Sequence, residues 1–311
     1  MSPQTITQPL PPGYRLGDYH IEKQLSEGGF SIVYLAHDEQ DQPVAIKEYL
    51  PARLVQRSGE DPNPVVGAEH QAAFDQGMMS FFEEGRMLAN LDHPNVVRVL
   101  DFFRANHTAY LVMRYERGRT LQSHIQRHPG ELGESFIRNV FVRLLNGLRE
   151  VHMHKLLHLD IKPANIYLRR DGHPVLLDFG ATRQGLGTSD FALAPVHTPG
   201  FAAPEQMGSG EAQGPWTDIY AVGATLYSCL AKGAPQSADL RLAKDELEPA
   251  LQRWNKQYSP QLLELIDWCM KLRVGERPQS VFALQKVLSG ELLDLVDPAW
   301  FGTPDADKPT P

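Results

Sequence analysis

Between residues 18 and 47, apolar and polar positions alternate with the period of two that a half-buried strand requires. Tyr19 and Ile21 begin the alternation, and a Gly28-Gly29 turn interrupts it. Ile32-Val33-Tyr34-Leu35-Ala36 resumes it, and Val44-Ala45-Ile46 follows a polar turn at 38–42. The pattern predicts three short antiparallel strands. Residues 51–67 show no period and carry Pro51, Gly59, Pro62, Pro64 and Gly67, so they read as a loop-rich insertion. Phe81, Phe82, Met87, Leu88 and Leu91 then recur at helical spacing, and His93-Pro94-Asn95 stops the helix. Segments 96–103 and 109–115 predict a strand pair around a turn at Asn106-His107.

Strand periodicity mostly ends at Gly118, and helices dominate beyond it. Phe136, Ile137, Val140, Phe141, Leu144, Leu145, Leu148 and Val151 make one apolar stripe of a core helix. Residues 217–231 are apolar nearly all round, with Asp218 in the first turn, which predicts a helix buried on every side. Ser259 is an N-cap before Pro260, opening a helix through Met270, and 280–288 forms a last short helix. Ile166-Tyr167-Leu168 and Val175-Leu176-Leu177 predict two short strands around Asp171-Gly172. The expected class is α+β: a small antiparallel sheet with one main helix over 14–117, then a larger mainly helical part over 118–291. Residues 1–13, with four prolines, read as a flexible leader, and 292–311 as a tail or linker.

Composition narrows the function. The length, 311 residues, is enough for about two domains or one domain with two lobes. With 42% hydrophobic and 22% charged residues, wholesale disorder is excluded. Thirty Lys and Arg against 38 Asp and Glu give a net charge of −8, a poor footprint for nucleic acid or anionic lipid. Cys229 and Cys269 form neither a CxxC pair nor a zinc spacing, and both sit in apolar helical patterns, which predicts buried free thiols. No apolar run reaches the ~18 residues of a membrane span. The N-terminus lacks a basic patch followed by an apolar stretch, so a cytoplasmic location is expected.

The densest chemistry lies in His158-Leu159-Asp160-Ile161-Lys162-Pro163-Ala164-Asn165, followed by Asp178-Phe179-Gly180. Asp160, Asn165 and Asp178 fall on loops beside one hairpin. They suit a hard cation such as Mg²⁺, with one carboxylate left as a base. Six fixed positions at ~5% usage each would match by chance at roughly 10⁻⁸ per register.

These motifs resemble, in order and from about Tyr19 to Leu288, a eukaryotic-type protein kinase of the bacterial serine/threonine kind. The resemblance implies a bilobal kinase fold. It also implies ATP with Mg²⁺ or Mn²⁺ as cofactors, protein substrates with Ser or Thr acceptors, autophosphorylation and a signalling role. Asp160 would accept the proton of the attacking hydroxyl, Asn165 and Asp178 would hold the metal, and Lys162 would neutralise the transferring phosphoryl group. Lys47, ending Val44-Ala45-Ile46, would hold the α- and β-phosphates. Its carboxylate partner would be Glu84, which shares the inward face of Leu88 one turn on, with Glu83 the alternative. The separation, 84 − 47 = 37 residues, is longer than usual for the family, and 51–67 supplies the excess. That insertion reads either as a tolerated surface loop or as a regulatory or partner-binding element.

The glycine-rich pattern G-x-G-x-x-G appears as Ser26-Glu27-Gly28-Gly29-Phe30-Ser31, with only the middle glycine matching. It would still cover phosphates with backbone N–H groups, but with weaker or slower nucleotide handling. Met113 would sit behind the adenine, the backbone of Arg114 and Glu116 would read its edge, and Val33, Ala45 and Ile166 would form apolar walls. Thr198-Pro199-Gly200-Phe201 resembles the substrate-docking stretch, with the Thr198 hydroxyl reaching Asp160 and Lys162 and favouring Ser/Thr acceptors. Ala203-Pro204-Glu205 would close the activation segment, Glu205 would pair with Arg277, and Asp218 would bond the catalytic-loop backbone. His158 would orient that loop. His152 and His154 are two apart on a helix, cannot share a metal, and read as solvated or locally bonded.

Leu159 departs from the family, where many members carry Arg. Leucine cannot bond a phosphorylated residue, so activity should not require phosphorylation of Thr182, Thr188 or Ser189 through that route. The rival reading is a pseudokinase scaffold, which the retained Lys47, Asp160, Asn165 and Asp178 oppose. A small-molecule phosphotransferase is opposed by the peptide-docking stretch at 198–205.

Overall fold

The computed structural model describes residues 8–59, 61–179, 197–208 and 210–289. Residues 1–7 of the leader, Gly180, Thr182, Thr188, Ser189 and the 292–311 tail lie outside the described residues. The chain forms two compact units, one reaching to Gly118 and including 177–179, the other running through 119–176 and from His197 onward.

In the first unit β1 (Arg15–Leu16), β2 (Tyr19–Glu27), β3 (Ser31–His37), β4 (Pro43–Tyr49), β7 (Val99–Ala105) and β8 (Thr108–Arg114) form one antiparallel sheet in the order β1-β2-β3-β4-β8-β7. Successive side chains on a strand point to opposite faces, and directly paired residues share a face. The register pairs Ile32 with Glu48 and Glu48 with Tyr110, and likewise Tyr34, Ile46 and Val112. These side chains therefore line one face, and all are buried. The other face carries Val33, Lys47 and Leu111 in one row and Leu35, Ala45 and Met113 in the next.

The loop segment 51–67 contains a small pairing of its own, β5 (Val55–Gln56) with β6 (Val65–Val66). Val55 and Arg57 are buried within it. Leu10 is also buried, and its N–H donates to the Tyr34 hydroxyl at 3.1 Å. Isolated buried residues in polar, proline-rich segments leave no periodic signature, so composition alone does not register these anchors. Helix α1 (Gln71–Ala89) begins ten residues before the apolar spacing announces it. Only Phe74 is buried in its first ten residues, so those turns carry no stripe.

The second unit holds a three-stranded sheet of β9 (Gly118–Thr120), β10 (Ile166–Arg169) and β11 (Pro174–Leu176), in the order β11-β10-β9. Its helices are α2 (Leu121–Arg127), α3 (Glu134–Met153), α4 (Pro215–Ala231), α5 (Ala238–Ala243), α6 (Ala250–Trp254), α7 (Pro260–Cys269) and α8 (Val281–Ser289). The α3 stripe is buried as its spacing predicts except at Phe136, which is half-buried, and every residue of α4 from Thr217 to Leu230 is buried. Gly223 lets α4 lie against α7: a Cβ there would stand 2.5 Å from the Cβ of Cys269. Ser259 caps α7, accepting from the Leu262 N–H. Both cysteines are buried free thiols, and burial pushes their pKa up. The short helices α2, α5 and α6 had no sequence signal, because each is too short to repeat an apolar stripe. No helix among the described residues is long and apolar enough to cross a membrane.

Candidate active site

The predicted site residues fall into two groups, one in each unit. In the first unit, strand alternation buries Lys47, and its Nζ donates to Asp178 Oδ1 at 2.7 Å. Glu84 Oε1 lies 3.7 Å from the same nitrogen, and the Phe81 ring centroid 5.5 Å away. Burial opposes the ammonium charge, but the carboxylates of Asp178 and Glu84 outweigh it and hold the Lys47 pKa above its ordinary value. Burial also dominates at Glu84. Lys47 pulls its pKa down, Asp178 adds repulsion, and the carboxyl is pushed up to about 7. Glu83 points elsewhere, to Arg86 at 2.8 Å, so Glu84 is the member of the pair beside Lys47. Helix α1 approaches β8 at Gly85, where a Cβ would stand 2.2 Å from Leu111 Cδ2.

Asp178 has φ +58, a conformation that non-glycine residues adopt rarely, and its side chain is 47% exposed. Val33, Ala45 and Met113 are half-buried, so their shared face keeps accessible apolar surface. The Arg114 N–H donates to Arg98 O at 2.9 Å. Glu116 follows in the connection to β9. Ser26 and Glu27 end β2, and Gly28, Gly29 and Phe30 form an exposed turn. The turn is tied to the start of the insertion, since the carbonyls of Phe30 and Gly29 accept from Leu50 and Ala52. A Cβ on Gly29 would meet nothing within 4 Å, and on Gly28 only Ser31 O at 3.7 Å. The protein itself does not need that space, which suits close approach by a ligand.

In the second unit Asp160, Lys162, Asn165 and Thr198 make one closed set of bonds. Lys162 Nζ donates to Asp160 Oδ2 at 2.7 Å and to Thr198 Oγ1 at 2.8 Å. The Thr198 hydroxyl donates to Asp160 Oδ1 at 2.8 Å. Asn165 Nδ2 donates to Asp160 Oδ2 at 2.8 Å and to the Asp160 carbonyl at 2.9 Å. Ile166, which follows at the head of β10, is fully buried.

Buried Asp218 of α4 holds the backbone that carries this set. Its Oδ1 accepts from Leu159 N–H at 2.7 Å and its Oδ2 from His158 N–H at 2.9 Å. The Asp160 N–H in turn donates to His158 Nδ1 at 3.3 Å. Leu159 has φ +61 and is buried, and Gln206 Nε2 donates to its carbonyl. Burial alone would raise the Asp218 carboxyl, but the hydrogen bond and charge of His152 and the loop N–H groups hold it low.

His152 corrects the sequence expectation. It is not solvated: its Nε2 lies 2.7 Å from Asp218 Oδ2, with 10% of the side chain exposed. Its partner is 66 residues away, so no local pattern could reveal it. His154 is locally bonded, to Glu150 O. Glu205 and Arg277 pair through two bonds, at 2.7 and 3.0 Å, with both side chains fully buried.

No group of three His, Cys, Asp or Glu among the described residues could hold a metal ion unaided. Mg²⁺ accepts amide and carboxylate oxygens alongside water and phosphate, and each unit offers one such group, Asn165 in the second and Asp178 in the first. Asn165 donates its NH₂ to Asp160, which directs the side-chain amide nitrogen there and turns the oxygen away from it.

The profile of the protein kinase domain matches residues 19–289. The serine/threonine-protein kinase PknA of a Nostoc species is 29% identical over 271 residues, covering 83% of this chain and 44% of that protein. Human serine/threonine-protein kinase Nek2 is 34% identical over 222 residues, 68% of this chain and 50% of that protein. The solved structure "PpkA-294 apo form" superposes with a TM-score of 0.82 at 36% identity, covering 90% of this chain and 99% of that one. The chain thus spans half or less of the length of these curated relatives. With the profile running across both units and all the motifs above, the chain belongs to the protein kinase family, among relatives named as bacterial serine/threonine kinases.

Proposed function

We propose that this domain transfers the γ-phosphoryl group of ATP to Ser or Thr hydroxyls of proteins, itself included, in a signalling role. The observation that carries the reading is the Thr198 hydroxyl, bonded to both Asp160 Oδ1 and Lys162 Nζ. These bonds support reading the carboxylate and the ammonium as a pair able to hold a hydroxyl between a base and a cation. An arriving acceptor would meet Asp160 as the base that takes its proton. Lys162 would stand ready for charge developing on the phosphoryl oxygens. Asn165, bonded to Asp160, keeps the carboxylate from rotating away.

In the first unit Lys47 would bind the nucleotide phosphates, exchanging its present carboxylate bond to Asp178 for phosphate oxygen. Glu84 would keep its rotamer. Val33, Ala45 and Met113 would receive the adenine ring, and the Gly28-Gly29 turn would cover the phosphates. Asn165 and Asp178 would hold Mg²⁺, or Mn²⁺, which when bound neutralises phosphate charge and orients the leaving group. The reading places the domain in the cytoplasm, where its unpaired thiols stay reduced.

The test is transfer from γ-labelled ATP to a generic protein substrate and to the chain itself. Asp160→Asn should lose about 10²–10⁴-fold. Equal, near-zero signals from wild type and Asp160→Asn, with ATP still bound, would establish a scaffold instead. Buried Leu159 has no charge to offer a phosphorylated residue, so Thr182→Ala, Thr188→Ala and Ser189→Ala should each retain the wild-type rate.

A further inference from the structure

Glu48 follows Lys47 on β4, and strand alternation sends the two side chains to opposite faces of the sheet. Glu48 is fully buried. Its Oε1 accepts from Tyr110 Oη at 2.7 Å and from Arg57 Nη1 at 2.5 Å. Its Oε2 accepts from Tyr34 Oη at 2.6 Å and from Arg57 Nη2 at 2.8 Å. Tyr34 lies on β3 and Tyr110 on β8, the two neighbours of β4. One carboxylate therefore ties together the three strands that carry Val33, Lys47 and Leu111 on the opposite face.

Arg57 closes this arrangement from the 51–67 insertion. It is 2% exposed, and all five of its N–H donors are engaged. Besides Glu48, Nε donates to Gln8 O at 2.7 Å, Nη1 to Pro62 O at 3.3 Å, and Nη2 to Tyr34 Oη at 3.1 Å. Gln8 is held in return, its N–H donating to Arg57 O at 2.9 Å and its Oε1 accepting from Gly59 N–H at 3.2 Å. On the far side Asn106 donates to Tyr110 Oη and accepts from Tyr14 Oη, each at 3.0 Å. The network runs from the leader through the insertion and three strands to the β7–β8 turn. Each oxygen of Glu48 accepts two bonds. A fully satisfied buried network of this kind rigidifies what it joins. A tolerated surface loop would not spend a fully buried guanidinium on the residue beside Lys47.

We propose that Arg57 is a positioning residue for the nucleotide: by clamping Glu48 from the insertion, it fixes the β4 backbone so that Lys47 is presented to phosphate. The proposal rests on reading Lys47 as the phosphate ligand. Lysine cannot replace arginine here, because a point charge with three donors cannot reproduce a planar fork serving four acceptor groups.

The experiment uses the full chain and compares Arg57→Lys with the double variant Glu48→Leu/Arg57→Met, which removes both charges together. Thermal midpoint, Mg·ATP dissociation constant by calorimetry, and kcat and KM for ATP are measured well below each midpoint. Arg57→Lys should raise the ATP Kd and KM about tenfold, the scale of one weakened charge-assisted bond, with kcat changed far less. The double variant should recover much of the thermal midpoint while keeping the raised Kd, because the tie across β3, β4 and β8 is gone. Lower midpoints with an unchanged ATP Kd in both variants would overturn the proposal and leave Arg57 a purely structural residue. A double variant that regained both midpoint and Kd would overturn it too. Calorimetry separates this from the transfer reading: wild type that binds Mg·ATP but transfers nothing defeats the kinase proposal, while the Kd comparison still decides the role of Arg57.

Discussion

Asp218→Asn changes no shape and moves almost no volume, yet it should disable the loop that carries Asp160. The carboxylate accepts three bonds, Leu159 N–H on Oδ1 and both His158 N–H and His152 Nε2 on Oδ2. An asparagine offers one oxygen. If that oxygen keeps Leu159, the NH₂ faces the His158 N–H, donor against donor. His152 can adapt by presenting an unprotonated Nε2, but a backbone N–H cannot. Leaving one buried N–H unsatisfied costs about 1–3 kcal/mol. Losing the charge assistance on the surviving bond costs roughly 1 kcal/mol more. The sum is about 2–4 kcal/mol, or a fall of roughly 4–16 °C in the thermal midpoint for a unit of this size. Leu159 adds a direction to the damage. Its left-handed conformation stores about 1–2 kcal/mol that the Asp218 bond restrains, so the freed loop relaxes away from Asp160's working position. A displacement near 1 Å should lower kcat on the order of 10²-fold. Lys47 and Glu84 are untouched, so KM for ATP should move much less than kcat. The assay is steady-state phosphotransfer with a parallel thermal melt. Retention of kcat within about threefold, with a midpoint within about 2 °C, would show that these bonds do not hold the loop and would refute the reasoning.

Further outcomes are expected at three residues. Glu84 must be ionised to pair with Lys47, and its carboxyl is raised to about 7, so kcat/KM for ATP should climb as pH rises through about 7. That limb should vanish in Glu84→Gln. Stability runs the other way: with the folded pKa above the ordinary 4.5, the folded-state advantage of the protonated form is lost as pH rises from 4.5 to about 7, and Glu84→Gln should flatten that slope in thermal melts. Gly85→Ala should destabilise by up to about 2 kcal/mol in denaturant titration, because overpacking costs about 1–3 kcal/mol against roughly 1 kcal/mol of helix propensity gained. Its Cβ meets buried Leu111 at 2.2 Å, so Leu111→Val alongside it should recover part of the loss. Arg277→Met strands Glu205 in a fully buried site, and breaking such a pair costs about 3–5 kcal/mol, read as a drop of roughly 6–20 °C in the melt.

How far the sequence reached can be followed residue by residue. The strands β2, β3, β4, β7 and β8 and the helix α3 were legible because each repeats its apolar positions over several turns or pleats, α4 because it is apolar nearly all round, and α7 from its Ser259-Pro260 start. The first ten residues of α1 were not, since Phe74 alone is buried there. Asp160, Lys162, Asn165 and Thr198 were legible as a motif, but their closed bonding is a fact of tertiary structure. Asp218 could be expected to need partners because an unpaired buried carboxylate is costly. The choice of His152 as one of them could not be, because that contact spans 66 residues.

The sequence by itself determined the class of fold and the chemistry at hand, because periodicity and motif spacing are local properties of a chain. Only the tertiary structure decided which charges meet. It set Glu84 rather than Glu83 beside Lys47. It also placed Arg57 from a loop without pattern onto Glu48. Those pairings are chosen by packing and desolvation. A buried guanidinium finds its carboxylate wherever the fold brings it, and that distance is written in no local pattern of residues.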